Sequence, residues 1–375
     1  MKKDSDFKRV DGGSDLSSDL NQGKFSRFVS FIRRMQTIYV LIFFVVVLIL
    51  TLLAASFAFS EEKFGKLPTC GDGTFYNTCS LDKPYYCQEG VLIEKATTCG
   101  CAGDLTRSGD SCISEYHSNQ KSLSFRYFFE GHSREIDFSV YEGGEDYVSS
   151  LSRVISYSGS ESPSRSDFKA KSLNEDVQRG LIVPLVKEIQ NLAPSSKVDQ
   201  ARIAISLVQN IPYGDSNQTF SFGGQESSYS RYPYEVLYDQ EGICGEKSAL
   251  LAFLLKEIGF GSSIFYFAEE NHEAVGIRCP ADKSLYGSGF CFVETGGPSI
   301  ISDSSIEFEG GVYLDSTPDV LLISEGISLP GSIREYSDAK TLRDIKQKNF
   351  FGLLKFWRED NIIQKYDLDG SYNLD

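Results

Sequence analysis

The chain has 375 residues, 41% of them apolar and 24% charged, with 37 Lys+Arg against 52 Asp+Glu and a net charge of −15. That balance argues against a nucleic-acid binder, because little is present to neutralise phosphates, and 13% aromatic content argues against a wholly disordered chain. One segment alone is apolar enough to cross a bilayer, which excludes a multi-span transporter.

That segment is Ile38–Phe59, 22 residues without a charge. As a helix it would cover roughly 33 Å, enough for a hydrocarbon core with some tilt. A cleaved signal peptide would carry a shorter apolar run, about 7–15 residues, nearer the start. Residues 37–60 are therefore expected to form one transmembrane helix. Lys24, Arg27, Arg33 and Arg34 precede it, so residues 1–36 are expected to be a disordered cytoplasmic tail, with everything beyond the helix outside the cell membrane. The tail holds eight Lys/Arg and five Asp/Glu, leaving 29 and 47 beyond it, which suits a solvated ectodomain more than a surface that hugs anionic lipid.

Six of the nine cysteines crowd into a stretch poor in aliphatics: Cys70, Cys79, Cys87, Cys99, Cys101 and Cys112. Outside a membrane this reads as three disulfides stapling a small loop-rich module over residues 66–115, a spacer or a binding knob. Six cysteines allow fifteen pairings, and the spacing does not choose among them. A zinc cluster would call for Cys-x-x-Cys, and the chain offers only Cys99-Gly-Cys101. Strands are expected at Leu123–Glu130 and Glu135–Tyr141, turning through Gly131–Arg134 with His132 in the turn, followed by a Ser-rich linker, Ser158–Asp167. Helices are expected over about Val183–Ala193 and Val198–Asn210. Gly214–Arg231 is a polar, Gly/Ser-rich loop with aromatics, a wall or lid for whatever follows, and it carries a glycosylation sequon at Asn217.

Asp239-Gln-Glu-Gly-Ile-Cys244 is a turn-rich approach to an apolar helix that Gly259 ends. Cys244 would sit at the helix N-terminus, where unpaired N–H groups and the dipole favour a thiolate and can hold an oxyanion. Cys279 ends one apolar strand and Cys291 begins another, so a hairpin disulfide would leave Cys244 as the unpaired thiol. A thiolate nucleophile needs an acid–base partner. Of His117, His132 and His272, the first two read as surface residues. His272 opens a strand, and Glu294 ends the next one. A helix-borne Cys would then face a strand-borne His, with an acid on the adjacent strand to orient the imidazole.

The run Tyr232–Gly259, with Gly-Ile-Cys244-Gly-Glu-Lys-Ser at its centre, resembles the Cys block of the transglutaminase-like superfamily, closest to archaeal-type membrane-anchored members. Asn271-His-Glu-Ala-Val-Gly276 resembles its His block and Phe292-Val-Glu-Thr-Gly-Gly297 its acid block. The likeness spans about Leu181–Asp303, a third of the chain. It implies an α+β, papain-like core, expected over residues 120–335, with a Cys-bearing helix packed on an antiparallel sheet. Apart from the resemblance, the apolar run Phe350–Trp357 in a charged stretch is read as a C-terminal helix that docks on the domain, with helix and tail over 336–375. The resemblance further implies acyl transfer at a peptide or side-chain amide through a thioester, with Cys244, His272 and Glu294 as catalytic residues, a protein or peptide substrate, and no cofactor or metal. The better-known members carry Asp as the acid. Leu314-Asp-Ser-Thr-Pro318 offers Asp315 as a competitor, although 22 residues from His272 to Glu294 fit one hairpin better than 43. Hydrolysis and crosslinking to an amine both remain open, as does a catalytically silent scaffold of the same fold that binds peptide or cell-envelope partners.

Overall fold

The computed structural model describes residues 39–51, 68–216, 218–222, 225–305, 313–347 and 353–368. They belong to two units, Met1–Leu67 and Pro68–Asp375. In the first, residues 39–51 are helical and exposed along their whole length. The rest of the predicted span and the whole 1–36 tail lie outside the described residues. Among the described residues no helix is long and apolar enough to cross a membrane.

The second unit opens with the cysteine-rich module. It contains the short antiparallel pairs β1 (Tyr85–Gln88) with β2 (Val91–Glu94) and β3 (Thr106–Ser108) with β4 (Ser111–Ile113), and one helical turn, α1 (Ala96–Cys99). Three disulfides close it: Cys70–Cys87, Cys79–Cys99 and Cys101–Cys112. Its own core is little more than Cys70, Tyr85, Cys87 and Leu92, and Val183 from the main body completes that core.

The main body follows as the hairpin β5 (Gln120–Phe129) and β6 (His132–Tyr141), then α2 (Glu142–Ser150), α3 (Arg165–Leu173), α4 (Asp176–Leu192) and α5 (Lys197–Gln209). A small hairpin β7 (Thr219–Phe222) and β8 (Gln225–Ser228) precedes α6 (Pro233–Asp239) and α7 (Cys244–Ile258). After these come β9 (Ser262–Phe267), β10 (His272–Arg278), β11 (Phe290–Val293) and β12 (Asp319–Ser324), and finally α8 (Arg334–Gln347) and α9 (Leu353–Tyr366). The last four strands form one antiparallel sheet in the order β11-β10-β9-β12. The fold is thus mixed α and β, with antiparallel sheets. Helix α7 is its centre: Leu250, Leu251, Leu254 and Leu255 are all fully buried, and the helix packs on α5, β9 and β10. Gly259 ends it in the left-handed conformation, φ 110°, the usual glycine stop.

Several boundaries differ from the sequence expectation for identifiable reasons. The first hairpin turns on two residues, Glu130 and Gly131, both at positive φ. That is the tight turn matched to strand twist, and it draws His132 out of the turn into β6. The Ser-rich linker ends in a helix start, where Ser164 and Asp167 cap each other's backbone N–H. Helix α4 begins seven residues before Val183 and carries Pro184 inside it. A proline usually marks a helix boundary, but here the buried face of Leu181, Ile182, Leu185, Val186 and Ile189 holds the helix through it. The polar loop before the Cys block contains the β7–β8 hairpin, and Asn217 lies outside the described residues.

Candidate active site

The strand pairing assembles the acid–base pair. Val275 stands opposite Val293 and Gly276 opposite Phe292. Continuing that register puts Glu294 opposite Ala274, and residues two apart on a strand share a face. His272 and Glu294 therefore emerge on the same side, as a diagonal pair. The imidazole Nε2 lies 2.9 Å from Glu294 Oε2, with the His272 side chain 14% exposed and that of Glu294 4%. The second carboxylate oxygen, Oε1, accepts the Gly296 N–H at 2.7 Å. Backbone and ring together thus fix both oxygens.

Cys244 enters from the other layer. It is the first residue of α7, with Ile243 as the N-cap. The carbonyl of Ile243 accepts the N–H groups of Glu246 and Lys247, and Glu246 Oε2 accepts the Ile243 N–H at 3.1 Å. The N–H groups of Cys244 and Gly245 come too early in the helix for an intrahelical acceptor and face outward at its positive end. Among the described residues Cys244 is the one free cysteine, and it is partly exposed. Its thiol hydrogen bonds to His272. Since Nε2 serves Glu294, Nδ1 is the ring nitrogen left for sulfur. Burial by itself would pull the His272 pKa down. The hydrogen bonds to Cys244 and Glu294, with the charges on both, outweigh it and push the imidazole up to about 10.

A supporting set of polar groups surrounds these three residues. Ser248, one turn along α7, reaches the Glu273 carbonyl at 3.2 Å and Thr295 Oγ1 at 2.9 Å, and Thr295 Oγ1 donates to the Cys244 carbonyl at 3.3 Å. Gln209, the last residue of α5, donates to the Glu294 carbonyl at 2.9 Å. Lys247 is fully buried and donates to the carbonyls of Ile211 at 2.6 Å and Gly296 at 3.3 Å. On the far side of Cys244, Glu273 is held by Lys169 at 2.6 Å and Arg165 at 2.8 Å, and Lys169 also bonds the Gly245 carbonyl at 3.0 Å. A Cβ at Gly245 would come within 2.9 Å of that pinned carboxylate, so the residue after the cysteine has to be small.

None of these supporting residues stood out in the sequence. For Lys247 there was a signal: Glu246-Lys-Ser248 interrupts an otherwise apolar helix, and position i+3 shares a face with Cys244. Gln209 and Thr295 carried none. Asp315, the competing acid, is exposed, and its backbone N–H is bound by Glu270. The pairing of His272 is with Glu294. His117 caps a short turn through Ser114 and packs on Tyr141, and His132 is exposed at the hairpin end. Among the described residues no group of three or more His, Cys, Asp or Glu could hold a metal ion.

Cys279 and Cys291 are joined, closing the β10–β11 hairpin behind the site. They are diagonal, not directly opposite, since Cys291 stands across from Ile277.

Two solved structures of Legionella pneumophila LapG are similar to part of this chain. One is 16% identical, covering 34% of this chain and 68% of its own with a TM-score of 0.22. The other, calcium-bound, is 14% identical, covering 46% and 94% with a TM-score of 0.23. The likeness is slight. No protein-family model matches the chain, and no curated protein matches it.

Proposed function

We propose that the chain is a transglutaminase-like cysteine hydrolase acting on peptide or side-chain amides, with Cys244 as nucleophile, His272 as acid–base and Glu294 as the group that orients His272. The observation that carries this reading is the imidazole bonded to the thiol on one side and to a buried carboxylate on the other. A thiol paired with an imidazole of raised pKa favours the thiolate–imidazolium form, the nucleophilic one.

In the first step the Cys244 sulfur attacks the amide carbon. A C–S bond forms and the carbonyl electrons move to oxygen, which lies at the outward N–H groups of the helix start. The imidazolium proton passes to the nitrogen, the C–N bond breaks, and the amine leaves with a thioester behind it. Water then gives a proton to His272 and adds to the thioester carbon. The carboxylic acid departs and the sulfur leaves as the thiolate. We favour hydrolysis over crosslinking because no feature of the described site reads as an amine acceptor.

The ectodomain is further proposed to stand outside the cell membrane on a single N-terminal anchor. Four disulfides among nine cysteines support an oxidising compartment, and the apolar run with its helical residues 39–51 supports the anchor.

The test is to quench the protein in acid during turnover of a mixed peptide-amide library and map adducts by mass spectrometry. A thioester confined to Cys244, absent from Cys244→Ala, is expected. An unmodified Cys244 with no amine released from any peptide would remove the hydrolase reading and leave a binding scaffold.

A further inference from the structure

Lys247 is unusual in having no charged partner in contact. Its side chain is 0% exposed. Its ammonium donates to two neutral carbonyls, Ile211 and Gly296, and among the described residues no carboxylate lies within ion-pair distance of it. Burying an ammonium costs several kcal/mol when no counter-charge offsets it. The negative groups that act on it electrostatically are Glu294 and Cys244, both members of the site described above. A thiolate, an imidazolium and a carboxylate together carry one net negative charge, and the carboxylate end of the set is buried. Adding the ammonium makes the set neutral. The two carbonyls it holds also belong to segments that frame the site: Ile211 leads into the chain that pairs beside Gly242, just before the cysteine, and Gly296 is the residue whose N–H binds Glu294.

Resting on the hydrolase reading, we infer that Lys247 is a positioning residue of this site: its buried positive charge offsets the negative charge that the reacting sulfur and Glu294 bring to the site. Burial lowers the Lys247 pKa to about 8 against the pull of Glu294 and Cys244. The ammonium is therefore charged at neutral pH, where the site would work.

The alternative is a purely mechanical staple of two carbonyls, and two variants separate them. Lys247→Met keeps the volume and removes both the charge and the hydrogen bonds. Lys247→Gln keeps a donor for the carbonyls and removes only the charge. The readout is the rate of Cys244 alkylation by iodoacetamide at pH 6, which needs no substrate. We expect both variants to react about tenfold more slowly than the native protein, the size expected from losing one nearby opposite charge. Lys247→Met relieves a buried charge but strands the Ile211 and Gly296 carbonyls, so its thermal melt serves to confirm that it folds. If native Cys244 reacts no faster than an ordinary thiol, the hydrolase reading and this inference fall together. If native is fast and either folded variant is equally fast, this inference alone fails. A third measurement serves should neither variant fold: ¹⁵N NMR of the native Lys247 ammonium before and after Cys244 is alkylated. Neutralising the sulfur should lower the Lys247 titration midpoint, by the reciprocity of coupled sites, and an unchanged midpoint would overturn the inference.

Discussion

Glu294 divides its two carboxylate oxygens between an imidazole and the Gly296 N–H, and this division makes its charge matter more than its shape. Glu294→Gln can still reach His272, but it offers no charge to stabilise an imidazolium and can select the wrong tautomer. Its kcat/KM should fall on the order of 10²–10⁴-fold while KM changes little. Steady-state kinetics on any peptide substrate found by adduct mapping would check this. Gln209→Leu removes the donor to the Glu294 carbonyl and leaves that buried oxygen without it. A cost of about 1–3 kcal/mol in stability follows, read as a lowered urea midpoint. Two titrations near the site work against each other. The raised pKa of His272 contributes stability that is complete below its ordinary value of 6.5 and is lost as pH rises through about 10. The lowered pKa of Lys247 has the opposite sign, so stability increases between about 8 and the ordinary 10.5. Thermal melts of Lys247→Met should therefore show a steeper loss above pH 8 than the native protein does.

At the scale of elements, the site depends on α7 and the β10–β11 hairpin holding their relative register. The Cys279–Cys291 bridge closes that hairpin across 12 residues. Replacing both cysteines by serine should cost roughly 2–4 kcal/mol, seen as a lower thermal midpoint, with Cys244 then the one cysteine left in the sheet half of the fold. How legible these elements were in the sequence followed from how local their causes are. Helix α7 could be read because its apolar face and its glycine stop are adjacent in the chain. The diagonal pairing of His272 and Glu294 was within reach because one short hairpin connects them. The start of α4 was hidden because Pro184 is a local breaker that only tertiary burial overrules. The start of α3 was hidden because a serine-rich stretch also reads as a loop. Lys247 and Gln209 were silent for a further reason: they bond backbone carbonyls 36 to 90 residues away, and a carbonyl has no sequence signature.

On the scale of the whole molecule, the cysteine-rich module packs on the main body. It is clamped to α4. Asn191 bonds both the N–H and the carbonyl of Leu92, at 2.7 and 3.0 Å. Lys187, 2% exposed, pairs with Asp82 at 2.6 Å, and Arg179 adds a second contact to the same carboxylate at 3.0 Å. A Cβ on Gly71 would meet the Gln190 carbonyl oxygen at 2.2 Å, so the backbones could not approach this closely with any other residue. Partial burial would raise the pKa of Asp82, but Lys187 and Arg179 outweigh it and hold the carboxyl below its ordinary 3.8. The clamp is therefore complete above about pH 4 and is lost as pH falls through the depressed value. Hydrogen exchange on β1 and β2 should speed up below pH 4 before it does in α7. At the centre stands the proposal of a reactive sulfur at a helix start with an acid–base ring beside it. The most direct measurement is the pH dependence of Cys244 alkylation between pH 5 and 9, in the native chain and in His272→Gln. Native Cys244 should be captured rapidly at pH 6, and capture in the variant should slow at least about tenfold towards an ordinary thiol with a midpoint near 8.5. Two superimposed curves, both following the ordinary thiol, would contradict the proposal.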